Sequence, residues 1–240
     1  VSHTTTQQAE FDRYAEHYHA ELDHVCRRLV DPQDSYFVDL KCDELLRIVA
    51  GYGLQLANLT LADIGCGAGD FEPRLAPLCA RLYGVDLSGK MLQVAQQRAP
   101  LRQGGYLCAD SLCLPLPDES VDVVFASCLL HHITHVTPAQ VVHELQRICR
   151  PGGLVVCFEH NPLNPVTQLV VRTTPIDQTA VLLHHGKLQQ AFVQSGLGAV
   201  DYRFVLFGPK AIDRRVAQRL GWLHEWPVGA QYVVYGQKGG

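Results

Sequence analysis

From residue 60 onward, short apolar runs alternate with amphipathic stretches. The runs 60–64, 81–86, 106–109, 121–127 and 154–158 are rich in Val, Leu, Ile, Tyr and Phe, and each is bounded by Gly, Pro or polar residues. Runs of that length read as strands. Between them apolar residues recur at spacings of three and four, the period of a helix with one buried face. Strands that alternate with helices build a parallel sheet covered on both sides. Two further runs, 202–207 and 231–235, are separated by a helical stretch containing Trp222 and Trp226. The pattern predicts an α/β, doubly wound sheet of seven strands whose last strand is antiparallel.

The helical segments carry their own start and stop signals. Residues 9–30 place Phe11, Tyr14, Ala15, Tyr18, Leu22, Val25 and Leu29 on one stripe, and Asp31-Pro32 stops it. A second helix, about 38–51, turns Leu45, Leu46, Ile48 and Val49 inward. Leu75 and Leu78 are inward positions of the helix after strand 1, where Pro73 suits the first turn and Pro77 shortens the helix. Ser88 caps a helix with Met91, Val94 and Ala95 facing the sheet. Thr137 and Pro138 open another, with Val141, Val142, Leu145, Ile148 and Cys149 inward, and Arg150-Pro151-Gly152-Gly153 ends it. A last helix, about 187–195, stops at Gly196, whereas 166–186 shows little clean period.

The stretch Leu61-Ala62-Asp63-Ile64-Gly65-Cys66-Gly67-Ala68-Gly69-Asp70-Phe71 is a strand, a tight turn and a helix start. Gly65, Gly67 and Gly69 let backbone approach a ligand closely, and the helix aims free N–H groups at it. A pyrophosphate would call for G-x-G-x-x-G. The spacing here is G-x-G-x-G, with Asp63 two residues ahead of it. A carboxylate there favours a cationic ligand such as S-adenosylmethionine (SAM), which carries a sulfonium and an ammonium and no phosphate. Strand 2 ends in Asp86, 23 residues after Asp63, placed to accept both hydroxyls of a ribose. Strand 3 ends in Asp110, 24 residues further on, placed to accept the exocyclic amine of adenine.

The segment Asp63-Ile64-Gly65-Cys66-Gly67-Ala68-Gly69 resembles the first motif of the class I SAM-dependent methyltransferases. The run Val121-Asp122-Val123-Val124-Phe125-Ala126-Ser127-Cys128-Leu129-Leu130-His131-His132 resembles that of ubiquinone-biosynthesis-type, small-molecule members of the group. The resemblance covers about residues 11–160 well and the rest loosely. It implies a Rossmann-like fold and a cofactor set of Asp63, Gly65, Cys66, Gly67, Gly69, Asp86, Leu87, Asp110, Ser111 and Ser127. It also implies that a helix written Phe11-Asp12-x-x-Ala15-x-x-Tyr18 closes over the cofactor, with Tyr18 as a lid contact. Lys41 stands where related families carry a partner for the methionyl carboxylate; a solvated surface lysine is the other reading.

Composition narrows the partners. At 240 residues, 47% hydrophobic and 18% charged, the chain reads as a single domain. A net charge of −4 offers no basic stripe for nucleic acid. Nine scattered cysteines without a C-x-x-C pair favour reduced, buried thiols in a cytoplasmic protein, and no apolar run reaches membrane-spanning length. The polar start, 1–21, is no signal peptide.

Chemistry then falls to residues beyond strands 4 and 5. Histidine titrates near neutrality, so His132 and His160 are candidate catalytic bases, with His131 and Asn161 as substrate contacts. No residue is assigned to a metal, although Glu159 leaves that class open. The Asp/Asn-Pro-Pro-aromatic loop of nucleic-acid and protein-glutamine N-methylation is missing, as is a Pro-Cys nucleophile. The reading is transfer of a methyl group from SAM to a small metabolite on O, N or C, releasing S-adenosylhomocysteine. The lid (about 9–55) and the inserts 160–186 and 209–227 would form the acceptor pocket or an interface, with a homodimer left open. An NAD(P)-dependent oxidoreductase and a non-catalytic SAM-binding regulator are the rival readings.

Overall fold

The computed structural model describes residue 12 and residues 36–177, 179–208 and 221–240. Seven strands form one sheet in the order β3-β2-β1-β4-β5-β7-β6. They are β1 Thr60–Ile64, β2 Arg81–Asp86, β3 Gly104–Cys108, β4 Val121–Ser127, β5 Cys149–His160, β6 Leu197–Val205 and β7 Gln231–Lys238. β1 pairs in parallel with β2 and β4, β2 with β3, and β4 with β5. β7 is antiparallel to both β5 and β6, as the sequence pattern predicts.

The helices are α1 Tyr36–Gly51, α2 Glu72–Leu75, α3 Gly89–Arg98, α4 Pro138–Ile148, α5 Pro165–Thr173 and α6 His185–Gln194. Two apolar cores lie on opposite faces of the sheet. On one, Val124, Ala126, Val155 and Cys157 pack with Val142 and Leu145 of α4 and Phe192 of α6. On the other, Val123, Phe125, Val156 and Phe158 meet Leu45, Ile48 and Val49 of α1. Strands buried on both faces explain why β4 and the middle of β5 are written as unbroken apolar runs. Arg147 of α4 ties down the loop feeding β4, donating to the carbonyls of Leu114 and Leu116.

Several local expectations change. α2 ends at Leu75, so Leu78 lies in the turn after it and is 43% exposed rather than inward. The Arg150-Pro151-Gly152-Gly153 segment lies within β5 rather than ahead of it: Cys149 already pairs with Val121 and Leu154 with Val123, and the residues between bulge out. β5 also runs on through Glu159 and His160, because β7 offers Tyr232 and Gln231 as partners, so these two are strand residues rather than loop. β6 begins at Leu197, directly after the Gly196 turn. The aperiodic 166–186 segment contains α5, capped by Asn164, whose Oδ1 accepts from the N–H groups of Val166 and Thr167. Cys108 is exposed, since β3 is the sheet edge, so not every thiol is buried. No described helix is long and apolar enough to cross a membrane.

The β5 bulge makes Gly153 a sensitive position. An added Cβ would stand 2.6 Å from the Asp122 carbonyl oxygen and 2.8 Å from Cys149 Sγ. Gly153→Ala is expected to cost about 1–3 kcal/mol and to lower the thermal midpoint by several degrees in a calorimetric scan.

Candidate active site

Because the first five strands are parallel, their carboxyl ends meet at one edge of the sheet, where such folds open a crevice. A cavity of about 410 Å³ lies there. Its wall takes Ile64, Gly65, Cys66 and Gly67 after β1, Asp86 and Leu87 after β2, and Asp110 and Ser111 after β3. Ser127, Cys128 and Leu129 after β4, His160 from β5 and Lys41 from α1 complete the sheet side. The insert supplies the far wall through Asn164, Thr167, Val170, Ile176 and Asp177. Asp86 and Asp110 therefore face one ligand space.

At the glycine bend, Gly65 and Gly67 have φ of +79° and +53°, turning their backbone along the wall. Gly69 is different: it is not on the wall, and an added Cβ would lie 2.9 Å from Ala95 Cβ in α3. Its smallness serves packing, which corrects its assignment as a cofactor contact. Asp86 accepts from the Gly67 N–H at 2.9 Å and the Ser88 N–H at 2.8 Å, so its carboxylate also fixes the bend. Burial pushes its carboxyl up against the pull of those N–H groups.

Asp63 is buried behind the wall rather than on it, and neither carboxylate oxygen has a hydrogen-bond partner among the described residues. Glu72 is fully buried at the start of α2, and among the described residues no side chain pairs with it. Burial, then the repulsion between neighbouring acids, pushes Asp63 well above the usual carboxylate range, with Lys41 pulling the other way. Such a floor suits a ligand bearing positive charge and resists a phosphate.

Lys41 is no solvated lysine. It is buried, its Nζ donates to Ser127 Oγ at 2.8 Å, and it lies 3.7 Å from Cys128 Sγ. Cys128, counted among the inert thiols from sequence, holds φ of +57° just past β4 and projects to the cavity. Burial alone would raise its pKa, but Lys41 and His160 more than reverse this and bring the thiol to about 6. Its position directly after a strand-end motif was the available signal.

The histidines separate. His131 is buried off the cavity wall, its Nδ1 2.6 Å from Glu159 Oε2, which corrects its assignment to substrate. Burial opposes its charge, yet Glu159 and Asp177 hold it above the ordinary range. His132 is on the wall; burial and the adjacent His131 push it well below. His160 is on the wall, with Nδ1 3.4 Å from Gln231 Nε2. Asn161 is also corrected: its Nδ2 donates to the carbonyls of Pro227 and Gly229, and its Oδ1 accepts from Leu163 N–H. It locks a loop and is buried off the cavity wall. Tyr18 lies outside the described residues, as does most of the expected lid. Of residues 1–35 Asp12 alone is described, and its carboxylate accepts from Ser88 Oγ at 2.5 Å beside the Asp86 turn. Residues 209–220 of the second insert are likewise outside the described set.

Strand order, glycine bend and cavity together define a Rossmann-like α/β fold with a nucleotide-type site. Residues 62–157 match the family model of the methyltransferase domain, and that segment is similar to class I SAM-dependent methyltransferases. A malonyl-[acyl-carrier protein] O-methyltransferase of Marinomonas sp. (strain MWYL1) is 38% identical over 128 residues, 51% of this chain and 45% of that protein. The chain thus spans less than half the length of the curated relatives it matches first. Among solved structures, a SAM-dependent methyltransferase from Thermotoga maritima aligns over 96% of this chain and 99% of its own at 19% identity, TM-score 0.66. A phosphoethanolamine N-methyltransferase 2 of Haemonchus contortus, solved with SAM, aligns over 82% of this chain and 53% of its own at 18% identity, TM-score 0.61. These structures share the fold.

The buried Glu72 makes stability depend on pH with a definite sign. Burial, above all, raises its folded pKa from 4.5 to about 8, so the folded state holds a proton the unfolded chain releases. Stability is therefore lost as pH rises between those values. Glu72→Gln is expected to flatten that part of a Tm-versus-pH curve and to melt several degrees higher than the parent at pH 8; equal slopes would refute the assignment.

Proposed function

We propose that this protein transfers a methyl group from SAM to a small organic acceptor, giving S-adenosylhomocysteine. The observation that carries the reading is the uncompensated acidic floor, Asp63 with Glu72, under a glycine bend whose wall also presents Asp86 and Asp110. An ammonium and a sulfonium placed above these carboxyls favour their ionised form and pair with it, whereas the pyrophosphate of a nicotinamide dinucleotide would disfavour it. SAM supplies a methyl group already activated on sulfur, so positioning and exclusion of water are the main tasks left to the protein.

In this reading Asp63 balances the ligand's cationic end, Lys41 takes its carboxylate, Asp86 accepts from the ribose and Asp110 with Ser111 from the base. Cys66, Gly67 and Leu87 supply wall and backbone, and Ser127 holds Lys41 in place. The acceptor lies towards Thr167, Ile176 and His135, wall residues of the same cavity. His160 is the base where the acceptor must lose a proton. His132 does not fill that role, because burial and its neighbour His131 disfavour its protonated form. The match to malonyl-[acyl-carrier protein] O-methyltransferases covers less than half of those proteins, so their acceptor does not follow for this chain.

Calorimetry with SAM, S-adenosylhomocysteine and NADH tests the ligand class: the first two are expected to bind and NADH is not. Asp63→Asn should weaken SAM binding about tenfold or more, roughly 1.4 kcal/mol or above. With an acceptor identified by S-adenosylhomocysteine release, His160→Ala should lower kcat about a hundredfold while SAM affinity stays within error. SAM binding without turnover on any acceptor would favour a regulatory role.

A further inference from the structure

The far wall of the cavity holds a cluster that methyl transfer as described does not use. His131 Nε2, His132 Nε2 and Asp177 Oδ1 face one another at separations of 3.0, 3.6 and 3.5 Å. They converge from two parts of the chain: the histidines from the 3₁₀ turn Leu130–His132 after β4, the aspartate from the turn Pro175–Asp177 of the insert. We propose that His131, His132 and Asp177 bind a divalent transition metal ion of the zinc class, with an open coordination position facing the acceptor space.

Three points support the site. A triangle of those sides has its centre about 2 Å from every corner, the length of Zn–N and Zn–O bonds. Two imidazole nitrogens and one carboxylate oxygen are donors that zinc and its neighbours in the transition series take, and magnesium and calcium do not favour. The outer shell is also present: Glu159 Oε2 lies 2.6 Å from His131 Nδ1, so that nitrogen carries the proton and Nε2 is turned to the centre. Glu159 is itself fixed, its Oε1 accepting from the Leu130 N–H at 2.7 Å.

One cation at the centre satisfies all three donors. His132 and Asp177 are on the cavity wall, so a three-ligand ion there keeps a free position towards the acceptor, as catalytic rather than structural zinc does. An acceptor hydroxyl or thiol held at that position would lose its proton more readily.

Metal uptake needs neither SAM nor acceptor, so it is read apart from the transfer reaction. Chelator-treated protein titrated with Zn²⁺ in a calorimeter is expected to take up one equivalent per chain. Asp177→Asn and His132→Gln, checked for folding by circular dichroism melting, should weaken uptake about tenfold to a hundredfold. X-ray absorption of the Co²⁺-loaded parent protein, which requires no variant, should show nitrogen and oxygen neighbours with imidazole scattering. Sub-stoichiometric uptake, equal affinity in the parent and Asp177→Asn, or a sulfur neighbour marking Cys128 would each overturn the proposal.

Discussion

Parallel pairing is the constraint on which the rest depends. β1 lies between β2 and β4 and runs the same way as both, so every chain reversal from β1 to β5 happens at one edge and every functional loop at the other. The helices that make those reversals cover both faces of the sheet, and the two cores they bury fix the strands independently of what lies at their tips. The tips are thereby free to carry groups that no isolated turn could hold: an unpartnered Asp63, a Cys128 at positive φ, an ion-paired His131. A large buried apolar area offsets the cost of such placements, each worth a few kcal/mol at most.

The cavity is electrostatically divided. Near the glycine bend the titratable groups are carboxyls, towards β5 they are histidines backed by Glu159, and Lys41 stands between the halves. Lys41 reaches Ser127 and Cys128 from a helix upstream of the sheet, so the one buried ammonium among the described wall residues sits at the end of β4. Its field is what keeps the Cys128 thiol acidic despite burial.

The strands added after residue 160 explain how the far wall of the cavity is built. β7 enters antiparallel between β5 and β6, which brings Ala230 and Gln231 beside His160. Asn161 ties the loop beyond β5 to the carbonyls of Pro227 and Gly229, anchoring the insert whose α5 and 3₁₀ turn close the far wall. The matched methyltransferase segment, 62–157, stops just short of this construction.

By itself the sequence determined the seven strands and the antiparallel last strand, because period and turn residues are local signals, and the strand-end acids Asp86 and Asp110, with Gly65 and Gly67, line one cavity. His132 and His160, the candidate bases, line the same cavity. The roles of Gly69, His131 and Asn161 were illegible, since packing against Ala95, an ion pair to Glu159 and capture by distant carbonyls are contacts 26 to 68 residues apart along the chain. Whether Lys41 is solvated, whether Cys128 is inert and whether Asp177 meets two histidines likewise follow only from the tertiary structure. Burial and the company of other charges decide those properties, and both come from segments that touch only once the sheet is closed.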